Sequence, residues 1–109
     1  MAQEYKVLGQ SPPAATTLTD VYTVPASTSA VISSICVCNR AATGKTFRLS
    51  IAIAGAADTV AQYLTYDQAI SANDMIFLQL GITLATTDVL RVYVSSADIS
   101  VNVFGMEIT

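Results

Sequence analysis

Apolar and polar residues alternate in short runs along most of this chain, at the period of two that lays one side of an extended strand against a core. Phe47, Leu49, Ile51 and Ile53 alternate with Arg48, Ser50 and Ala52. Residues 89–94 repeat the pattern, with Leu90, Val92 and Val94 on one side and Arg91 and Tyr93 on the other. The last run, residues 99–108, alternates cleanly to Val103 and is then apolar on both sides, as expected where an end docks. Residues 30–39 form the most apolar run, with Val, Ile and Cys on both parities. That predicts a strand covered on both faces, at a sheet centre or under a subunit contact.

Between these runs lie breaks with turn chemistry. Residues 11–15 contain Pro12 and Pro13, which have no amide to donate, and are expected to be a loop after an extended start at residues 5–8. Residues 16–24 read as a strand stopped by Pro25, and residues 60–66 as a strand with tyrosines at its edge. Residues 39–45, 54–58, 71–74, 86–88 and 95–98 read as turns or loops, and residues 67–74 could also pass for a helical turn. Met75 to Leu80 reads as a short strand closed by Gly81, with residues 82–84 as a brief edge piece. The count is about eight or nine short strands at the spacing of an all-β sandwich, with no helical periodicity. The expected fold is a single antiparallel β-sandwich over residues 1–109, jelly-roll or immunoglobulin-like, with residues 1–15 as an extended N-terminal arm and loop.

Composition changes this picture in one respect. Only 12% of the residues are charged and 52% are hydrophobic, against about 25% charged in ordinary soluble proteins. A domain this small leaves about a third of its chain surface exposed, so apolar atoms must remain outside. The surplus is expected to be surface for neighbouring subunits, making the chain a homo-oligomer, with a trimer among the stoichiometries. The candidate contact residues are Tyr5, Val7 and Leu8 near the start and Phe104, Met106 and Ile108 near the end.

Chemistry is scarce. There is no histidine, the commonest general base and metal ligand. The aspartates at positions 20, 58, 67, 74, 88 and 98 fall mostly beside turns, where they bond their own backbone. Cys36 and Cys38 stand on one face of one strand, too far apart to bond without bending it, and are expected to be free buried thiols. With no further cysteine or histidine they cannot complete a structural zinc site. No catalytic residue, cofactor or metal is therefore expected. The five basic residues, Lys6, Arg40, Lys45, Arg48 and Arg91, are too scattered for a nucleic-acid face. No run approaches the length of a membrane span, and residues 1–10 lack the apolar stretch of a secretory signal.

Several stretches together resemble small virion proteins of tailed bacteriophages. These are Tyr5-Lys6-Val7-Leu8-Gly9-Gln10, Val21-Tyr22-Thr23-Val24-Pro25, the apolar strand ending at Asn39-Arg40, Ile70-Ser71-Ala72-Asn73-Asp74, Gly81-Ile82-Thr83-Leu84, Thr87-Asp88-Val89-Leu90 and the ending Phe104-Gly105-Met106-Glu107-Ile108-Thr109. The resemblance implies a β-sandwich subunit made in the bacterial host cytoplasm and added to the virion. Its leading implication is a capsid decoration, or cement, protein that binds the phage major capsid protein. The alternative is a tail, baseplate or fibre-associated module that binds a host-surface receptor or glycan through Tyr63, Tyr66, Tyr93 and the loops around Asp58 and Asp98.

Overall fold

The computed structural model describes residues 2–109, so Met1, the first residue of the expected arm, lies outside the described residues. Eight strands follow one another: β1 (Gln3–Ser11), β2 (Thr19–Thr23), β3 (Ser29–Asn39), β4 (Lys45–Ala52), β5 (Tyr63–Ile70), β6 (Met75–Leu84), β7 (Val89–Val94) and β8 (Ile99–Ile108). They form two four-stranded sheets, ordered β1-β8-β3-β6 and β2-β7-β4-β5, in which every strand pair is antiparallel. Only β4 and β5 are both consecutive and paired. All other connections cross from one sheet to the other, which is the order of a jelly roll and not that of an immunoglobulin sandwich. The inner faces meet in one core. Ile32, Ile35 and Val37 of β3 and Ile99, Val101 and Val103 of β8 are fully buried with Phe47 and Leu49 of β4 and Leu90, Val92 and Val94 of β7.

The apolar residues on both parities of β3 have a local cause. Ile32 pairs with Gly105 and Ser34 with Phe104, so Ser33 is an extra residue that switches which parity faces inward. In β1, Val7 pairs with Phe104 and Gly9 with Val103, leaving Leu8 as a second extra residue at the same step of β8. Gly105 makes room for both. A Cβ there would collide with the Val31 carbonyl and lie 2.9 Å from Leu8 Cδ1. Gly9 is constrained in the same way, since a Cβ on it would lie 2.6 Å from the Val21 carbonyl oxygen where β1 approaches β2.

A polar clamp ties the sheets at this side. Glu107, on the inner side of β8 and buried, accepts hydrogen bonds from the Tyr22 hydroxyl of β2 at 2.6 Å and the Lys6 ammonium of β1 at 2.7 Å. Those two donors, Lys6 first, hold the Glu107 carboxyl below its ordinary value of about 4.5. Burial and the same carboxylate push the Tyr22 hydroxyl upward. Elsewhere side chains order the turns. Buried Asn39 donates to the Thr43, Ile70 and Ser71 carbonyls and accepts from the Ala41 amide, and Asp88 accepts from the Ala54 and Ala85 amides.

Several boundaries differ from expectation. The N-terminal segment is an integral edge strand that includes Ser11, and Ala15 bridges to Val94. Residues 60–62 are a 3-10 turn, and β5 continues through residues 67–70, which are not helical. Gly81 does not end a strand, because β6 absorbs it in a register irregularity and runs on to Leu84. Ile53 leaves β4 for a second 3-10 turn and is 73% exposed.

Gly105→Ala is expected to cost about 1–3 kcal/mol, since the added methyl meets backbone that cannot move aside. Chemical unfolding of the two proteins measures it. Acidification provides a second test. The folded Glu107 carboxyl titrates below its unfolded value, so its contribution is complete above about pH 4.5 and fades as pH falls through the lowered value. Glu107→Gln should therefore be less stable than the parent by about 1–2 kcal/mol at neutral pH. In unfolding curves from pH 7 to pH 3, that gap should close toward the acid end.

Candidate functional site

The two sheets present opposite chemistry to the outside. On the β2-β7-β4-β5 sheet, the outward positions carry ion pairs and aromatic rings. Arg48 forks onto Asp67, with Nε to Oδ1 at 2.7 Å and a second bond at 3.3 Å. Its guanidinium lies 4.1 Å from the centre of the Tyr66 ring and 4.5 Å from that of Tyr93. Asp67 reaches it because its backbone is left-handed, at φ 50°, where β5 slips register against β4. The Arg48 guanidinium holds the Asp67 carboxyl below its ordinary value. Arg91 bonds Asp20 at 2.9 Å and the carbonyls of Ala56 and Gly55, and Tyr63 meets Tyr66 edge-on while donating to Asp58.

Within its four strands the outer side of the β1-β8-β3-β6 sheet carries no Asp, Glu, Lys or Arg; Arg40, just past β3, borders it and donates to Ser100 Oγ at 3.0 Å. Register fixes its rows: Tyr5, Met106, Val31 and Thr83 lie side by side across the four strands, followed by Val7, Phe104, Ser34 and Gln79. The next row is Gln10, Asn102, Cys36 and Phe77, and then Ser100, Cys38 and Met75. Glu4, Lys6 and Glu107 sit on the same strands at the opposite parity; Lys6 and Glu107 turn to the clamp, while Glu4 stays largely exposed 4.0 Å from Lys6. Tyr5 is 81% exposed, and Val7, Met75 and Phe77 are each about half exposed. With strands about 4.8 Å apart and residues about 3.4 Å apart, this face covers roughly 600 Å². Thr83, Ser34, Gln79, Gln10, Asn102 and Ser100 lie among its apolar residues, so the face is uncharged but mixed in polarity.

Of the six residues expected at a contact, Tyr5, Val7, Phe104, Met106 and Ile108 lie on this face. Leu8 does not. The β1 bulge turns it to the inside, where it packs on the core beside Gly105. Val31, Met75 and Phe77 complete the face and went unrecognised, because their strands were expected to be covered or merely short. The signal was present in the unbroken lack of charge from Met75 to Leu84. Cys36 and Cys38 are free but half-buried on the outer face, and not in the core, because the bulge at Ser33 puts Ile35 and Val37 there instead.

Tyr63, Tyr66 and Tyr93 do gather, around Arg48. The loops around Asp58 and Asp98, however, lie at opposite ends of the sandwich: the first joins β4 to β5 and the second β7 to β8. Among the described residues no three Cys, Asp or Glu side chains cluster to hold a metal ion, and no helix is long and apolar enough to cross a membrane. The chain matches no protein-family model and no curated protein.

The thiols report on the outer face. Burial, aided by the neighbouring Cys38, pushes the Cys36 thiol up. Both cysteines should react with a soluble disulfide reagent without unfolding, Cys36 more slowly than in the denatured chain at neutral pH. That difference should narrow as the pH rises and the thiolate forms.

Proposed function

We propose that this chain is a structural subunit of a tailed-bacteriophage virion, a capsid decoration protein that lies with its β1-β8-β3-β6 face against the shell. The observation that carries this reading is the charge-free face itself, four strands wide and continuous from Tyr5 to Phe77. A broad uncharged face suits adhesion to another protein surface, and the clefts beside Thr28 and Thr86 and beside Ile53 and Gln62 lie at its end and off it, respectively, and open to solvent. The jelly roll is also an architecture used by viral capsid domains.

The mechanism is linkage. A subunit that binds only the assembled lattice stabilises it by mass action, to an extent set by the subunit's concentration relative to its Kd. Apolar area supplies the adhesion, and the absence of charge means none has to be desolvated as the faces meet. The opposite sheet, with its ion pairs and hydrated rings, would face solvent.

The glycan-binding alternative has weaker support. The rings it would use are engaged by Arg48 and by one another, and its two loops stand at opposite ends of the molecule.

Quantified protein bands from purified particles test the assignment. Decoration predicts hundreds of copies per virion, and recombinant chain added to particles stripped of it should rebind, whereas Val7→Lys with Phe104→Lys should not. A few copies, or rebinding unaffected by those charges, would overturn it.

A further inference from the structure

We propose that β6 is the self-association edge of this protein and pairs antiparallel with β6 of a second copy across a two-fold axis at Phe77. The proposal stands on the fold and does not depend on a virion role.

Four strands lie at sheet edges: β1, β6, β2 and β5. Exposed edges present unpaired amides and carbonyls, and proteins guard them with charges and bulges. Three are guarded here. β1 carries Glu4, Lys6 and a bulge; β2 carries Asp20; and β5 carries Asp67 at a left-handed bulge under Arg48. β6 is the exception in charge, ten residues long with no charge and no proline, and its one irregularity, at Leu80 and Gly81, lies beyond residues 75–79.

A second feature concerns the flank of the sandwich. Along one side β1 approaches β2, while β5 and β6 make no comparable approach on the other. As a result Ile76, Leu78, Leu80 and Ile82, all on the inner side of β6, pack on the core yet remain only half-buried. A strand added beyond β6 would cover them.

The occupant that fits is β6 itself. Residues 75–79 pair regularly with β3, before the irregularity that absorbs Gly81. A two-fold axis at Phe77 sets Phe77 opposite the partner's Phe77 on the outer side. It sets Ile76 opposite the partner's Leu78 over the open flank, and Met75 opposite the partner's Gln79. Aromatic and aliphatic cross-strand pairs of this kind stabilise antiparallel sheets. Five residues per strand give about five main-chain hydrogen bonds, at the lower end of stable interfaces. The contact is isologous, so it closes as a dimer and leaves no free edge to propagate a fibre. It also joins two charge-free faces into one eight-stranded surface.

Light scattering on the isolated chain at about 10–100 µM should give a dimer, twice the 11.4 kDa of one chain. Phe77→Lys should weaken it by about a hundredfold or more. Tyr5→Lys, on the same face but at the guarded edge, should leave it intact. In a Cys36→Ser, Cys38→Ser background, Phe77→Cys should cross-link on oxidation, because directly opposed residues stand about 4.5–5.5 Å apart at Cα, within disulfide reach. Thr83→Cys should not cross-link. A monomer or trimer mass for the unmodified chain, dissociation by Tyr5→Lys, or failure of Phe77→Cys to cross-link would overturn the proposal. These measurements use the isolated protein, so they can fail while the particle assignment holds, and the reverse.

Discussion

The parity switch at Ser33 governs what this molecule shows to the outside. Without it, a strand that buries Ala30 and Ile32 would bury Ser34, Cys36 and Cys38, and Ile35 and Val37 would face out. The extra residue puts all the branched apolar side chains after it into the core and leaves two thiols on the surface. The switch is possible because Gly105 has no side chain. The Leu8 bulge in β1 uses the same gap from the other side, so three strands share one irregular layer. Bulges of this kind bend a sheet and increase its twist. Here they also decide that Gln10 bonds Asn102 outside while Gly9 turns in to meet β2.

Charge is distributed with the same economy. Lys6 and Glu107 are drawn inward to Tyr22, and Arg48 and Arg91 lie flat on the opposite sheet against Asp67 and Asp20. The charges that the strands carry are therefore drawn to the clamp and to one sheet, others sit at the turns, and the strands of the other outer face present none, with Arg40 at its border. A hydrophobic surplus spread at random would mean little, since exposed apolar residues are common. What the two sheets separate is charge, since Ile53, Val60, Leu64 and Tyr66 are exposed on or beside the β2-β7-β4-β5 sheet as Tyr5, Val7, Met75 and Phe77 are on the other.

Much of the architecture was legible from the sequence. Period-two runs and proline or aspartate breaks gave an all-β sandwich; of the six aspartates expected to bond turn backbone, Asp88 and Asp74 do, whereas Asp20, Asp58, Asp67 and Asp98 take side-chain donors instead. Bulges were not legible, because an inserted residue resembles a strand with both faces apolar. β3 is at a sheet centre, as its apolar run implied, but that ambiguity placed the cysteines in the core and Leu8 on the outer face. Gly81 misled in the opposite direction: a glycine in a strand can end it or be absorbed by an irregularity, and only the pairing with β3 separates the two. The five contact residues that do share a face were found because β1 and β8 are neighbours, although sequence distance hides this. Val31, Met75 and Phe77 belong with them only through the β8-β3-β6 order, a long-range pairing that no local pattern encodes.

The same order explains why β6 is left open. In a jelly roll the first and last strands pair, so the chain termini are sealed side by side, as the mutual hydrogen bonds of Ala2 and Thr109 demonstrate. The strands that remain at the far side, β6 and β5, come from the middle of the chain, and no described segment covers them. Selection against aggregation can then act only through their side chains. It has placed a charge on β5, where Asp67 also anchors Arg48, but none on β6. A ten-residue edge free of charge, beside three edges that carry charges, is the asymmetry on which the proposed self-pairing of β6 rests.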